Sequence, residues 1–243
     1  MTLGILGAVL IACAPLVAEA ALVRGTVRFP DEVKGGTLRQ GAFWRVPNGV
    51  LPIAPPLFDV RAEAVVVLVP SGTPGAAQLE AEARRQAQRH ELRLVGLRFH
   101  PPVSVIPPGT PLALRNEDKV PHVLLCTSCA DKIPPQTLAP GAHATLTLVR
   151  PGEYLLHSQE YAHMTGAVLV IERGFFARVE PEGNFQMDVP EGRYQARLFW
   201  RGSWQAEQLL QVGEQGAELH LRATLPSPLS GGDPGAPWRR PSS

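Results

Sequence analysis

The chain has 243 residues, of which 44% are hydrophobic and 19% are charged. This length and balance are typical of a globular protein with one large or two small domains, and they exclude a disordered chain. A net charge of +1, with scattered basic residues, excludes a general binder of phosphate backbones, so no nucleic-acid partner is expected.

Residues 1–20 are predicted to form a secretory signal peptide. An apolar run at 3–17 is followed by Ala18, Glu19 and Ala20, a small-x-small cleavage site. The run is too short for a comfortable membrane span, so no transmembrane span is expected in the mature chain. The predicted location is periplasmic or secreted. A second interpretation makes Cys13 the lipid-bearing cysteine of a membrane-anchored lipoprotein.

Short β-rich runs separated by turn residues follow the leader. The 23 Gly and 25 Pro stand mostly between these runs. Many short strands at close spacing predict an all-β sandwich fold. The predicted strands are 23–29, 64–69, 103–106, 111–115, 120–125, 144–149, 152–156, 167–171, 175–180, 184–189, 193–200, 205–212 and 217–224.

Two segments depart from the strand pattern. Residues 76–91 are rich in Ala, Glu, Arg and Gln and predict an exposed helical connector. Residues 227–243 are dominated by Pro, Gly and Ser and predict a disordered tail.

Cys126 and Cys129 remain after cleavage at Ala20. In an oxidising compartment such a close pair predicts a disulfide or a metal clip.

The two ends of the chain resemble a carboxypeptidase-regulatory-like (transthyretin-like) sandwich. Residues 23–29 and 62–68 look like its first strands, and residues 182–194 resemble its closing pattern, a Gly-x-Phe turn and then a Pro-x-Gly-x-Tyr turn. The resemblance implies that residues 21–70 and 174–224 form one small β-sandwich, interrupted by a middle domain.

The middle domain, residues 92–172, resembles a cupredoxin, in particular the exported plastocyanin-like proteins. The resemblance implies a Greek-key β-sandwich. Its residues are 97–103, 106–111, 114–118 with His122, 138–141, 151–154 and 164–170.

That family holds copper with an upstream His and with a Cys, a His and a weak axial Met from one loop, a soft donor set. Aligning Met164 with the family Met puts His122 at the upstream His. The same register puts Ser158 at the Cys position and Tyr161 at the loop His. Without the thiolate, a blue-copper electron carrier is not expected.

Three interpretations of the site stay open. His122 with His157 or His163 and Met164 would bind Cu(I) or Cu(II) without a blue spectrum. His122 with Cys126, Cys129 and His163 would suit a soft metal or zinc. Alternatively, the site has decayed and the sandwich is a metal-free binding module for a carbohydrate, a peptide or an envelope protein.

No catalytic motif of the hydrolase, P-loop or zinc-protease type occurs, so the protein is not expected to be an enzyme. The sequence therefore predicts an exported, non-enzymatic, cupredoxin-like protein with an atypical or degenerate copper site. A redox or envelope protein is its expected partner.

Overall fold

Short strands make up nearly all of the structure, a computed structural model that describes residues 20–31, 33, 60–72, 90–129 and 133–225. The predicted signal peptide up to residue 19, most of the predicted helical connector and the predicted tail lie outside these ranges. The strands are β1 (Ala21–Arg28), β2 (Val65–Pro70), β3 (His90–Leu94), β4 (Phe99–His100), β5 (Val103–Ile106), β6 (Pro111–Asn116), β7 (His122–Ser128), β8 (Gln136–Leu138), β9 (His143–Thr147), β10 (Gly152–Ser158), β11 (Thr165–Val170), β12 (Phe175–Arg178), β13 (Asn184–Val189), β14 (Gly192–Trp200), β15 (Ser203–Val212) and β16 (Ala217–Arg222). A 3-10 turn at Val60–Glu63 precedes β2.

The middle of the chain forms a central sandwich of two sheets. One sheet has the strand order β5-β11-β10-β7-β8 and the other β4-β3-β6-β9. The pairs β3–β6 and β5–β11 are parallel, while their other neighbours are antiparallel. These crossovers make a Greek-key β-sandwich, which confirms the predicted fold class. Leucines from both sheets fill its core around the fully buried Tyr154.

The first two and the last five strands form a second sandwich. Strand β1 pairs with β13 and β16, and β2 lies between β12 and β14. The two sheets enclose a core that contains Tyr194 and Trp200. Residues 21–28 and 65–70 therefore share one core with residues 175–222. The carboxypeptidase-regulatory-like identity of this sandwich stays a prediction.

A third apolar layer joins the two sandwiches. Val65, Val67 and Phe199 from the second sandwich form one buried cluster with residues of β5 and β11. Because β2 has the second core on its other face, Val65–Leu68 is buried on both sides, as a continuous Val run predicts. The four sheets are thus stacked face to face.

A tyrosine hydroxyl bonds to the carbonyl four residues upstream in each sandwich. Tyr154 donates to Arg150 at 2.8 Å, and Tyr194 donates to Pro190 at 2.6 Å. These are tyrosine corners, which secure the start of a strand against the preceding turn. The Pro-Gly-x-Tyr and Pro-x-Gly-x-Tyr patterns of the sequence thus form the same structure in both sandwiches.

The helical connector predicted at residues 76–91 is wrong at its last two residues, which the structure describes as strand. His90 and Glu91 belong to β3, because this segment pairs in parallel with β6 and buries Leu92 and Leu94. Sheet pairing and burial outweigh the helical composition of the preceding residues. Among the described residues, no helix has the length and apolar character needed to cross a membrane.

Candidate functional site

His122 is the first residue of β7 and its side chain is fully buried. Its Nε2 lies 2.9 Å from Oδ2 of Asp118. Because a carboxylate only accepts hydrogen bonds, Nε2 carries a proton, and in the neutral ring Nδ1 then presents its lone pair. Nδ1 is buried and has no hydrogen-bond partner among the described residues. An oriented imidazole with one unused nitrogen is the form in which histidine binds metals.

The turn before β7 fixes Asp118. The buried Asn116 side chain donates to the carbonyls of Val120, Leu138 and Ala139 at 2.8, 3.0 and 3.1 Å. Its Oδ1 accepts from the backbone N–H of Asp118 at 2.9 Å. Asn116 therefore ties the turn that leads into β7 to the end of β8.

The Asp118 carboxylate also holds the turn between β3 and β4. It accepts the backbone N–H groups of Gly96 at 2.6 Å and Leu97 at 3.1 Å. Leu97 has a φ of 58°, in the left-handed region that non-glycine residues rarely adopt. A single carboxylate thus stabilises a strained turn and orients His122.

Ser158, at the position predicted for a copper thiolate, is buried and diagonal to His122 across the sheet. It pairs directly with Leu124, two residues after His122 on the same face of β7. Its hydroxyl donates to Oε2 of Glu160 at 2.9 Å. The serine is therefore satisfied by a neighbouring carboxylate.

Beyond the last ladder pair of β10 and β7, the Gln159 N–H donates to the Val123 carbonyl at 2.9 Å, and the Glu160 side chain replaces the backbone carbonyl as the return acceptor. Its Oε2 accepts the backbone N–H of Val123 at 3.0 Å. This bond, with a smaller contribution from the Ser158 hydroxyl, lowers the pKa of Glu160 below its ordinary value of 4.5, although desolvation opposes the shift. An ionised carboxylate therefore borders the site.

The loop between β10 and β11 places Tyr161 against both histidines. The Tyr161 ring meets His122 edge-on with centroids 5.6 Å apart, and meets His163 with centroids 6.1 Å apart. Met164 is buried in the central core, and its N–H donates to the Tyr161 carbonyl at 2.9 Å. His163 is exposed. One tight turn thus brings His163 and Met164 to the His122 end of the sandwich.

His157 lies apart from this group. Adjacent residues of a strand face opposite sides, so Ser158 faces the core and His157 faces away from it. Nδ1 of His157 lies 3.2 Å from the Thr127 hydroxyl, and the ring lines a cavity between the two sandwiches. The structure therefore does not bring His157 together with His122.

Cys126 and Cys129 are joined by a disulfide, with their Cα atoms 6.1 Å apart. A disulfide has no thiolate to offer a metal. Within the described ranges, no cluster of three or more His, Cys, Asp or Glu side chains could hold a metal ion. The nitrogen and sulfur donors at this end of the sandwich are His122, His163 and Met164.

Asp118 and Glu160 complete the site but were not predicted from the sequence. Asp118 stands in an Asn-Glu-Asp run that is typical of an ordinary turn. Its spacing of four residues from His122 is the only sequence signal of their contact. Glu160 follows the strand end, and no spacing pattern marks it as a substitute for a ladder bond.

No family model matches the chain, and no curated protein matches it. Solved structures match in part. A copper-containing nitrite reductase from Thermus scotoductus SA-01 is 26% identical with a TM-score of 0.32, over 35% of this chain and 23% of that chain. A purple cupredoxin from Nitrosopumilus maritimus is 18% identical with a TM-score of 0.31, over 34% of this chain and 99% of that chain.

A reduced variant of amicyanin is also similar, at 18% identity and a TM-score of 0.32. The match covers 43% of this chain and 98% of that chain. The chain thus spans under a quarter of the nitrite reductase but nearly all of the two smaller proteins.

Proposed function

We propose that the protein is an exported, non-enzymatic, cupredoxin-like module that binds copper at an atypical site. The supporting observation is the buried imidazole of His122, with Nε2 held by Asp118 and Nδ1 without a partner among the described residues. Leaving a buried polar atom unpaired costs about 1–3 kcal/mol, and a bound metal would remove that cost.

The donor types favour Cu(I). Met164 offers a thioether, and His122 and His163 offer imidazoles, while the cysteines are bonded to each other. Thioether and imidazole donors suit Cu(I) among the metals common in proteins. Copper would supply one-electron redox chemistry. The residues of this chain would bind it, orient His122 through Asp118 and exclude water through Tyr161.

The test is a competitive Cu(I) titration of the mature chain with a chromophoric chelator. His122→Phe removes the nitrogen donors and keeps an aromatic ring, which is somewhat larger than imidazole, and Met164→Leu removes the sulfur but preserves the core. Each change is expected to weaken Cu(I) binding by about tenfold or more. His100→Phe, on the exposed face of β4, is the matched control. Binding weaker than micromolar that neither change affects would refute the copper site.

The alternative is a metal-free module that binds a carbohydrate, a peptide or an envelope protein. It is favoured by the internal bonding of Ser158 to Glu160 and by the Tyr161 ring, which packs against His122. This function predicts that copper leaves the thermal stability of the chain unchanged.

Export is part of the proposal and is supported by the leader sequence. Mass spectrometry of the protein from its native host is expected to find a chain that begins at Ala21. A chain that begins with a lipid-modified Cys13 would instead place the protein on a membrane. A redox or envelope protein is the proposed partner in either case.

A further inference from the structure

A cavity of about 370 Å³ lies between the two sandwiches, apart from His122, His163 and Met164. Val103 and Ala167 of the central sandwich and Phe199 of the second sandwich contribute apolar walls. Because adjacent strand residues face opposite ways, His157 and Thr165 face this cavity and not the central core. The size of the cavity is within the roughly 300–1,000 Å³ range of small-molecule sites.

One acidic and one basic side chain line the same cavity. Glu63 ends the 3-10 turn before β2 and is half-buried, while Arg201 lies in the turn between β14 and β15. Burial raises the pKa of Glu63, and the charge of Arg201 opposes this shift. A half-buried carboxyl and an exposed guanidinium therefore both line the cavity.

The backbone at Arg201 supplies an independent observation. Arg201 and Gly202 have φ values of 51° and 75°, in a two-residue hairpin turn that joins Trp200 to Ser203. Turns with two positive φ values favour Asn-Gly or Asp-Gly, so an arginine at the first position is strained. Strained residues cluster at ligand-binding sites, which supports a role for the Arg201 side chain in this cavity.

His157 adds a hydrogen-bonding group with a fixed ring. Its Nδ1 is 3.2 Å from the Thr127 hydroxyl, and that hydroxyl also lies 3.2 Å from the Leu155 carbonyl, to which it donates. Because the hydroxyl proton goes to Leu155, the Thr127 oxygen accepts from Nδ1–H. Nε2 is then the ring nitrogen left for a ligand.

We propose that this cavity binds a small zwitterion with an apolar side chain, of the size and charge pattern of a free amino acid. The ligand ammonium pairs with Glu63 and its carboxylate with Arg201. The side chain of the ligand packs on the apolar walls that Val103, Ala167 and Phe199 form. The proposal is independent of copper binding, because none of these residues belongs to the His122 site.

The experiment compares three probes of one shape by calorimetric titration of the mature chain. Leucine carries both charges, 3-methylbutylamine carries only the positive charge, and 4-methylpentanoate carries only the negative charge. Each analogue lacks one charge-assisted hydrogen bond, so leucine is expected to bind at least tenfold more tightly than either analogue. No binding of leucine, or equal binding of all three probes, would overturn the proposal.

Two variants assign the charges. Arg201→Asn removes the guanidinium and supplies the residue that the turn prefers, so the fold keeps or gains stability while leucine binding falls at least tenfold. Glu63→Gln is expected to weaken leucine and 3-methylbutylamine but not 4-methylpentanoate. Arg193→Asn, at an exposed position of β14, is the matched control. Leucine binding that survives both Arg201→Asn and Glu63→Gln would also overturn the proposal.

Discussion

Oδ2 of Asp118 lies 2.9 Å from Nε2 of His122, and this one contact decides which ring nitrogen faces the candidate site. The same carboxylate accepts the two backbone N–H groups of the turn between β3 and β4. Asp118 therefore both stabilises the sandwich and orients His122, the main candidate metal donor. Every proposal about copper depends on this link.

Asp118→Ala is expected to reduce both stability and copper affinity. The change leaves backbone and imidazole donors without their acceptor, which costs about 1–3 kcal/mol of unfolding free energy. Loss of the group that orients a metal-binding histidine lowers metal affinity by roughly 10–100-fold. Urea denaturation and Cu(I) competition measure the two effects. Asp188→Ala, at an exposed position of β13, should change neither, and unchanged copper affinity in Asp118→Ala would argue against a role for His122.

Ser158→Cys is expected to create a thiolate–copper site. Ser158 is buried and diagonal to His122, and its loop carries His163 and Met164. A thiolate with imidazole and thioether donors is the set that produces blue-copper spectra. The variant loaded with Cu(II) should show an intense visible absorption band that the wild type lacks. Thr145→Cys, on an exposed strand, is the control, and a colourless Ser158→Cys protein would show that the alignment of Ser158 with the copper cysteine is wrong.

Much of the fold could be predicted from local pattern. Many short β-rich runs at close spacing predicted the all-β class, and the turns before Tyr154 and Tyr194 predicted the start of β10 and β14. Short strands such as β4 and β8 were missed because two or three residues carry no readable periodicity. The strand β3 was missed because its partner β6 is distant in sequence, and pairing partners are not visible in composition.

The candidate site was predictable only in part. His122 was found through its motif, and strand parity alone would have separated His157 from Ser158. The roles of Asp118 and Glu160 depend on turns that bring a carboxylate to backbone N–H groups. Such contacts have no sequence period, so only the structure reveals them.

Phe199→Ala is expected to destabilise the protein by weakening the apolar layer between the two sandwiches. Phe199 is fully buried in the layer between them and also packs edge-on against Trp204, with centroids 5.2 Å apart. Truncation of a buried phenylalanine costs about 3–5 kcal/mol. Denaturation followed by circular dichroism should show a lower midpoint for Phe199→Ala, and Leu209→Ala, at a residue 76% exposed, should leave the midpoint nearly unchanged. Equal effects of the two changes would mean that the layer does not stabilise the fold.

Glu63 is expected to make the protein less stable as pH rises. Burial raises its pKa above the ordinary value of 4.5 in the folded chain. A carboxyl whose folded pKa exceeds its unfolded pKa favours the folded state fully below the unfolded value, and this contribution is lost as pH rises through the folded value. Glu63→Gln removes the titrating carboxyl. The difference in unfolding free energy, variant minus wild type, should therefore increase as pH rises from the ordinary carboxyl range to neutrality. Urea denaturation at several pH values measures this difference, with Glu182→Gln at an exposed turn as the control. A difference that stays constant with pH would show that burial does not penalise the Glu63 carboxylate.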